Sequence, residues 1–519
     1  VCPGVGGNAA HHSRFFVSRF KGERFMDTTI TETPTYKNYI GGEWRESASG
    51  ETFLDTNPAH PAQALGRFQK STAADMDAAI AAAEAALPAW RAVPAPVRGE
   101  IILRAAHLLE FHMEALARLM TMEMGKVLKE AKGDIQTAVI FGKYVAGEGR
   151  RAEGETVPSA LSDKFNLTIR QPLGVVGIIT PWNFPMAIPA WKVFPALVAG
   201  NTVVLKPASD TPLLATKLVE ILTDAGIPAG VLNLVTGPGG TLGDTLVTDR
   251  RVSMISLTGS TEVGKHVAEL CGRDLRRCSL ELGGKNAIII LDDANLEEAA
   301  AGVANATFGT TGQRCTATSR VIVHRAVLKE FNERIVAAAE KLRVGDGLEP
   351  EVDMGPLVNR GRVGAVHEYT EIGKQEGAKL LTGGQLYQDG PLAEGAYYAP
   401  TIFSDVTPQM RIAREEIFGP VLSVIPVGSY EEAIQVANST EYGLSCAMYS
   451  DDMRKVFRAM RDIQAGLIYF NAPTTGAEPH MPFGGVKNSG NGHRELGSTA
   501  VEEFSEVKTV FVSYPPRPR

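Results

Sequence analysis

The chain has 519 residues, 44% of them apolar and 21% charged, with a formal net charge of −7. That length allows two to four domains with large cores. The charge offers no electrostatic basis for holding nucleic acid or an anionic membrane surface. No apolar run approaches the roughly 20 residues that a membrane-spanning helix requires.

In chain order, residues 1–25 come first and stand apart. They carry Arg14, Arg19, Lys21 and Arg24 against a single acid, Glu23. The segment reads as a disordered or non-native extension ahead of Met26. Its Arg-rich, acid-poor composition also fits a presequence, which would send the chain to the mitochondrial matrix rather than leave it in the cytoplasm. Residues 71–90 follow with Met76, Ile80, Ala83 and Leu87 at helical steps, behind Ser71 or Thr72 as cap. Helix continues through residues 100–126.

Strand and helix then alternate. The β-branched run at 174–180 is a buried strand, 186–200 a helix closed by Gly200, and 202–207 a second strand. Residues 210–226 form a helix with Asp210 as candidate cap, Pro212 in the first turn and Gly226 past the end. Strands at 230–235, 252–260 and 277–282, with a helix from Thr261, complete a βαβ series. The spacing predicts a parallel sheet with helices on both faces. A second α/β region opens at 286–291. It runs through a helix from Asn295, the segment GTTGQRCTATSR at 309–320 and a helix at 328–342. Two late helices begin near Glu431 and Phe457, each followed by a strand, and the tail from Val510 starts as a strand.

The five cysteines, Cys2, Cys271, Cys278, Cys315 and Cys446, include no CxxC pair. That fits a reducing compartment and a cytoplasmic protein without a disulfide framework. Cys271, Cys278 and Cys446 lie in helix or strand patterns and read as small packed hydrophobes. Cys315 differs, because it sits in a polar, glycine-containing loop where a packing role is poorly served. Ten histidines form no HExxH and no Cys/His cluster, so no metal site is expected.

Several short stretches are placed for chemistry. Lys206 ends a strand of the parallel sheet, and open α/β sheets bind ligands beyond the carboxyl ends of their strands. Gly259 and Ser260 sit between a strand and a helix start, where backbone amides favour a phosphate, although the spacing is not GxGxxG. PWNFP at 181–185 sets Asn183, a two-hydrogen donor, between two aromatics in a proline-fixed loop. Glu281 ends a strand before two glycines, where a carboxylate can act as a base.

Read together and in order, PWNFP, LKPAS, LTGS, ELGGK, GQRC and EEIFGP resemble the aldehyde dehydrogenase superfamily from about Tyr36 to Tyr514. The resemblance implies a Rossmann-like cofactor domain, an α/β catalytic domain and a small β oligomerisation element. These would take residues 26–155 with 174–283, residues 284–484, and residues 156–173 with 485–519. It implies that Cys315 is the nucleophile, held as a low-pKa thiolate. Asn183 and the Cys315 amide would stabilise the oxyanion, worth roughly 3 kcal/mol each. Glu281 would be the general base that releases an acid from a cysteine thioester. Lys206 and Glu416 match positions that hold the two ribose units. Thr180, Trp182, Gly259, Ser260, Leu282 and Phe418 match cofactor-lining positions.

Ser209 stands where NAD-preferring relatives often carry glutamate. A serine does not repel a 2′-phosphate, so NADP is favoured over NAD. The loop at 471–497 and GQRCTATSR resemble α-ketoglutaric semialdehyde (2,5-dioxopentanoate) dehydrogenases; LKPASDTP also resembles succinate semialdehyde dehydrogenases. Both substrates carry an ω-carboxylate, for which Arg314 is a candidate cation. The other readings are a broad-specificity aldehyde dehydrogenase, a coenzyme A-acylating relative (disfavoured by Glu281) and a silent binding protein (disfavoured by Cys315 and Asn183). A homodimer or homotetramer is implied.

Overall fold

A computed structural model of the chain describes residues 33–151 and 154–514. The segment 1–25, and with it Cys2, lies outside the described residues. Two seven-stranded sheets form the frame. The first has the order β11 (Arg277–Glu281), β10 (Val252–Thr258), β7 (Val175–Ile179), β8 (Thr202–Lys206), β9 (Leu232–Leu234), β1 (Asn38–Ile40) and β2 (Glu43–Arg45). The strands from β11 to β9 are parallel, and β1 joins β9 antiparallel. β7 to β9 run outward on one side and β10 to β11 on the other. The order therefore reverses between β7 and β10, which opens a crevice at their carboxyl ends.

Helices cover both faces because the central strands are apolar on both sides. β8 reads TVVLK and is buried throughout. One face packs against helices Ala95–Phe111, Leu128–Glu148, Ala187–Ala199 and Pro212–Asp224. The other packs against Ala73–Ala92, Gly239–Thr248 and Thr261–Arg273. Thr72 caps the first of these, in a reciprocal box with Asp75. Gly200 ends its helix at φ +100°. Asp210 is not a cap: Thr211 holds that position, and the Asp210 carboxylate accepts from Asn359 Nδ2 at 2.8 Å.

The second sheet has the order β14 (Lys379–Thr382), β15 (Thr401–Ser404), β16 (Val421–Val427), β13 (Thr318–His324), β12 (Asn286–Ile290), β18 (Ser445–Tyr449) and β19 (Leu467–Phe470). All are parallel except β14. Two-stranded pairs join β3 (Thr52–Thr56) to β4 (Ala64–Gln69) and β17 (Tyr442–Gly443) to β20 (Val486–Lys487). A third sheet is antiparallel: β21 (Ser505–Ser513), β6 (Lys164–Pro172) and β5 (Thr156–Val157). It exposes Phe165, Ile169, Val507, Phe511 and Val512. The chain just before it turns inward, and Leu496, Ala500, Val501 and Phe504 join the core of the first sheet.

Candidate active site

The crevice at the β7/β10 reversal is a cleft of about 510 Å³. Thr180, Trp182 and Asn183 follow β7 into it; Lys206 ends β8 and Ser209 follows it; Gly259 and Ser260 follow β10; Leu282 follows β11. The second sheet's side supplies Cys315, Arg362, Glu416 and Phe418. Of the candidate site residues singled out in the sequence, Glu281 and Arg314 lie outside the lining.

The nucleophile segment is held by groups far away in sequence. Helix Leu296–Phe308 gives way to a tight turn at Gly309–Gly312, where Thr310 and Thr311 adopt φ +51° and +57°. Side-chain residues rarely hold such angles, so surrounding contacts must enforce them. Glu130 accepts from the Thr310 amide at 2.8 Å. The buried Gln313 accepts from Val358 N at 3.0 Å, and its own carbonyl receives Asn183 Nδ2 at 3.0 Å. Asn286, at the start of β12, donates to the carbonyls of Cys315 (2.7 Å) and Ala317 (2.9 Å). The loop around Cys315 is thus a fixed turn.

Asn183 is pinned from behind. Lys126 Nζ donates to its carbonyl at 2.8 Å and to Asp134 at 2.9 Å, while sitting over the Phe184 ring at 4.0 Å. Both members of the Lys126–Asp134 pair are fully buried. With one Nδ2 hydrogen on Gln313, the other remains for a second acceptor.

Electrostatics correct one expectation. Cys315 is not a low-pKa thiol here: burial, and then the nearby Glu281 and Glu416 carboxylates, push it up to about 12. Glu281 is also raised well above the usual range, first by burial and then by the charge of Glu495. Its carboxylate oxygens are buried without a hydrogen-bond partner, and a Cβ on Gly484 would stand 2.6 Å from Oε1. Beside it, Lys192 pairs with Glu495 and donates to Ser256 at 2.9 Å. Arg314 is corrected too. Its guanidinium binds Glu130 and Thr310 Oγ1, at 2.8 and 2.9 Å, and lines a separate cavity with Lys129 and Lys132, so its charge is already matched.

On the cleft's far side, Lys206 Nζ donates to the Pro207 carbonyl at 2.9 Å, and burial lowers it to about 8. Ser209 Oγ donates to Gly237 O at 2.9 Å. Ser260 caps helix Thr261–Arg273, whose first amides open on the cleft. Glu416 accepts from the Gly284 amide at 3.0 Å and is raised by burial to about 7. Phe418, at φ +55°, meets Trp182 edge-on with centroids 5.3 Å apart. The fit to a dinucleotide is physical: a helix start for phosphates, a lysine and a glutamate in the lining for hydroxyls, and aromatic walls. The buried Thr180 and Thr258 hydroxyls in the lining have no partner of their own. Among the described residues no cluster of metal-ligating side chains occurs.

Sequence reading missed Lys126, Gln313, Asn286 and Arg362. Asn286, beside the glycines of ELGGK, and Gln313, inside GQRC, were within reach of a motif argument. Lys126 and Arg362 act across more than fifty residues of chain.

The model of the aldehyde dehydrogenase family matches residues 44–510. The chain is 44% identical over 485 residues to the alpha-ketoglutaric semialdehyde dehydrogenase of Bacillus subtilis, covering 93% of this chain and 99% of that one. It is 41% identical to the NADP(+) succinate-semialdehyde dehydrogenase of Escherichia coli, covering 91% and 97%. A crystal structure of an NAD-dependent aldehyde dehydrogenase from Sinorhizobium meliloti superposes with a TM-score of 0.91 at 38% identity, covering 95% and 98%.

Proposed function

The chain belongs to the aldehyde dehydrogenase family, and we propose that it oxidises an ω-carboxylated semialdehyde, 2,5-dioxopentanoate, to the acid. The observation that carries the reading is the convergence of Cys315 and the half-free Asn183 amide at one end of a dinucleotide-shaped cleft. The Cys315 thiol gives up its proton to solvent as its sulfur adds to the aldehyde carbon. The oxyanion takes hydrogen bonds from Asn183 Nδ2 and the Cys315 amide, which form fully only as charge develops on oxygen. A bound NADP or NAD would supply the hydride acceptor. Glu281, whose burial favours its protonated form, must first ionise; it then takes a proton from water and releases the acid from the Cys315 thioester. Lys206 and Glu416 would hold the two ribose units.

NADP is favoured because position 209 holds a serine in place of a carboxylate, and the neighbouring Asp210 carboxylate is occupied by Asn359. Succinate semialdehyde is the second reading, supported by the 41% identity to an enzyme of that name. The division into a cofactor part, a catalytic part and an oligomerisation part is proposed with the boundaries given above. The exposed apolar side chains of β6 and β21 support a homodimer or homotetramer. A cytoplasmic location is proposed from the cysteine pattern.

The test is steady-state reduced-cofactor formation over ω-carboxylated and neutral aldehydes, with each dinucleotide and without coenzyme A. The expected result is highest kcat/KM for 2,5-dioxopentanoate with NADP, and free acid as product. Equal turnover of all aldehydes would remove the substrate assignment. A hundredfold preference for NAD would remove the cofactor assignment.

A further inference from the structure

Glu130 and Asp134 share one face of helix Leu128–Glu148, a turn apart. Asp134 serves the Asn183 loop. Its Oδ1 accepts from the Ala187 amide at 2.8 Å, and its Oδ2 from Lys126, whose Nζ also donates to the Asn183 carbonyl. Glu130 serves the Cys315 turn. Its Oε1 alone accepts from two donors, the Thr310 amide and Arg314 Nη2, both at 2.8 Å. Arg314 Nε donates to Thr310 Oγ1 at 2.9 Å, which closes a three-sided clasp on the turn. The clasp lies against Gly309, where a Cβ would stand 3.1 Å from Glu130 Oε1 and 3.0 Å from Arg314 Nη2. The two halves then meet. Gln313 N donates to Thr310 O, and the Gln313 carbonyl receives Asn183 Nδ2, each at 3.0 Å. The contacts form a ring: from the helix through Glu130 to the turn, across to Asn183, and back through Lys126 and Asp134.

We propose that Glu130 is a positioning residue for the Cys315 nucleophile, so that one helix sets the spacing of sulfur and oxyanion donor. Thr310 and Thr311 sit at φ +51° and +57°, angles that β-branched residues hold only under constraint. Thr311 Oγ1 is tied to Gly355 O at 2.9 Å, and the Thr310 amide is tied to Glu130. Remove the Glu130 carboxylate, and that amide loses its acceptor while Arg314 loses its counter-charge. The turn then relaxes toward ordinary backbone angles. Cys315 follows Arg314 directly, so its sulfur and its amide both move. That displacement costs the transition state more than it costs aldehyde binding. Glu130 touches no reacting atom and moves no proton. Because both hydrogen bonds end on one oxygen, the oxygen of a neutral amide can accept them equally. The part played in turnover rests on the aldehyde-oxidising reading given above; the hold on the Cys315 turn does not.

The test compares Glu130→Ala and Glu130→Gln with the wild type, each as the full chain. Glu130 stands in the first turn of its helix and outside the hydrophobic core, so both variants should fold. Two quantities are read. One is kcat and KM for the aldehyde at saturating cofactor. The other is the iodoacetamide alkylation rate of each cysteine in the cofactor-free protein, followed by peptide mass. In Glu130→Ala, kcat should fall roughly 10- to 100-fold while KM stays within about threefold of wild type. Cys315 should be alkylated about tenfold faster as the turn loosens, while the buried Cys271 and Cys446 stay as slow as in wild type. Glu130→Gln should return both quantities to within about threefold of wild type. Unchanged kcat and unchanged Cys315 alkylation in Glu130→Ala would overturn the proposal. Equal acceleration at all three cysteines would do the same, since it reports a general loss of packing. So would a Glu130→Gln variant as impaired as Glu130→Ala. A wild type that turns over no aldehyde would overturn the aldehyde reading alone, and alkylation would still decide on Glu130.

Discussion

Cys315 was singled out in the sequence because a lone thiol in a polar loop has no good packing role. What the sequence did not disclose is its charge state. That depends on two carboxylates, Glu281 and Glu416, brought to it from 34 and 101 residues away. A thiol raised to about 12 is protonated at neutral pH, so its reactivity grows as pH rises and does not level off near neutrality. Alkylation of the cofactor-free protein by iodoacetamide should therefore accelerate about tenfold per pH unit up to about pH 10. A plateau below about pH 8 would show that some group on the described frame already stabilises the thiolate. Added NADP should raise the rate at neutral pH, because a positive ring beside the sulfur favours its anion. Asn183 was likewise legible, being a donor in a rigid loop. Its partner Gln313 was not, since nothing local marks a residue 130 positions away as the acceptor.

At the level of the element, β-branched runs gave away the strands of the first sheet from 174 to 282 to within two residues, but not the helix Gly239–Thr248 that packs on it. The pattern failed where strands are short or edge-placed, as in β1 to β4, and where polar residues interrupt a helix, as in Arg360–Gln375. The ELGGK turn joins the two sheets, and its glycines explain themselves only in three dimensions. A Cβ on Gly283 would stand 2.3 Å from Glu416 Oε2, and one on Gly284 would stand 2.7 Å from the Cys315 carbonyl oxygen. The Gly284 clash is with backbone, which yields less readily than a side chain. Gly284→Ala should shift the nucleophile and lower kcat/KM roughly 100-fold, as small displacements of reacting groups do. Thermal unfolding of the same variant should change little by comparison. A variant with unaltered kcat/KM would mean that the turn tolerates the displacement.

Across the whole molecule, the C-terminal segment reaches back into the first core and brings buried carboxyls with it. Glu503 is raised to about 8, first by burial and then by Glu495, although Lys192 opposes the shift. A carboxyl whose folded pKa exceeds its ordinary value of 4.5 binds its proton more tightly in the folded state. Its contribution is therefore intact below about pH 4.5 and is lost as pH climbs to about 8, by a few kcal/mol at most. Glu503→Gln should flatten that part of the stability–pH curve and raise stability at about pH 8, as read by denaturant unfolding at several pH values. A parallel curve for the variant would place the ionisation elsewhere.

The pairing of Lys192 with Glu495 has a consequence for the making of the protein. Lys192 leaves the ribosome some three hundred residues before its counter-charge is synthesised. Until then a nascent chain holds an uncompensated ammonium in what will become its interior, next to the strand that ends at Glu281. The first sheet can assemble early, but its centre closes only once Glu495 has been made, some three hundred residues after Lys192.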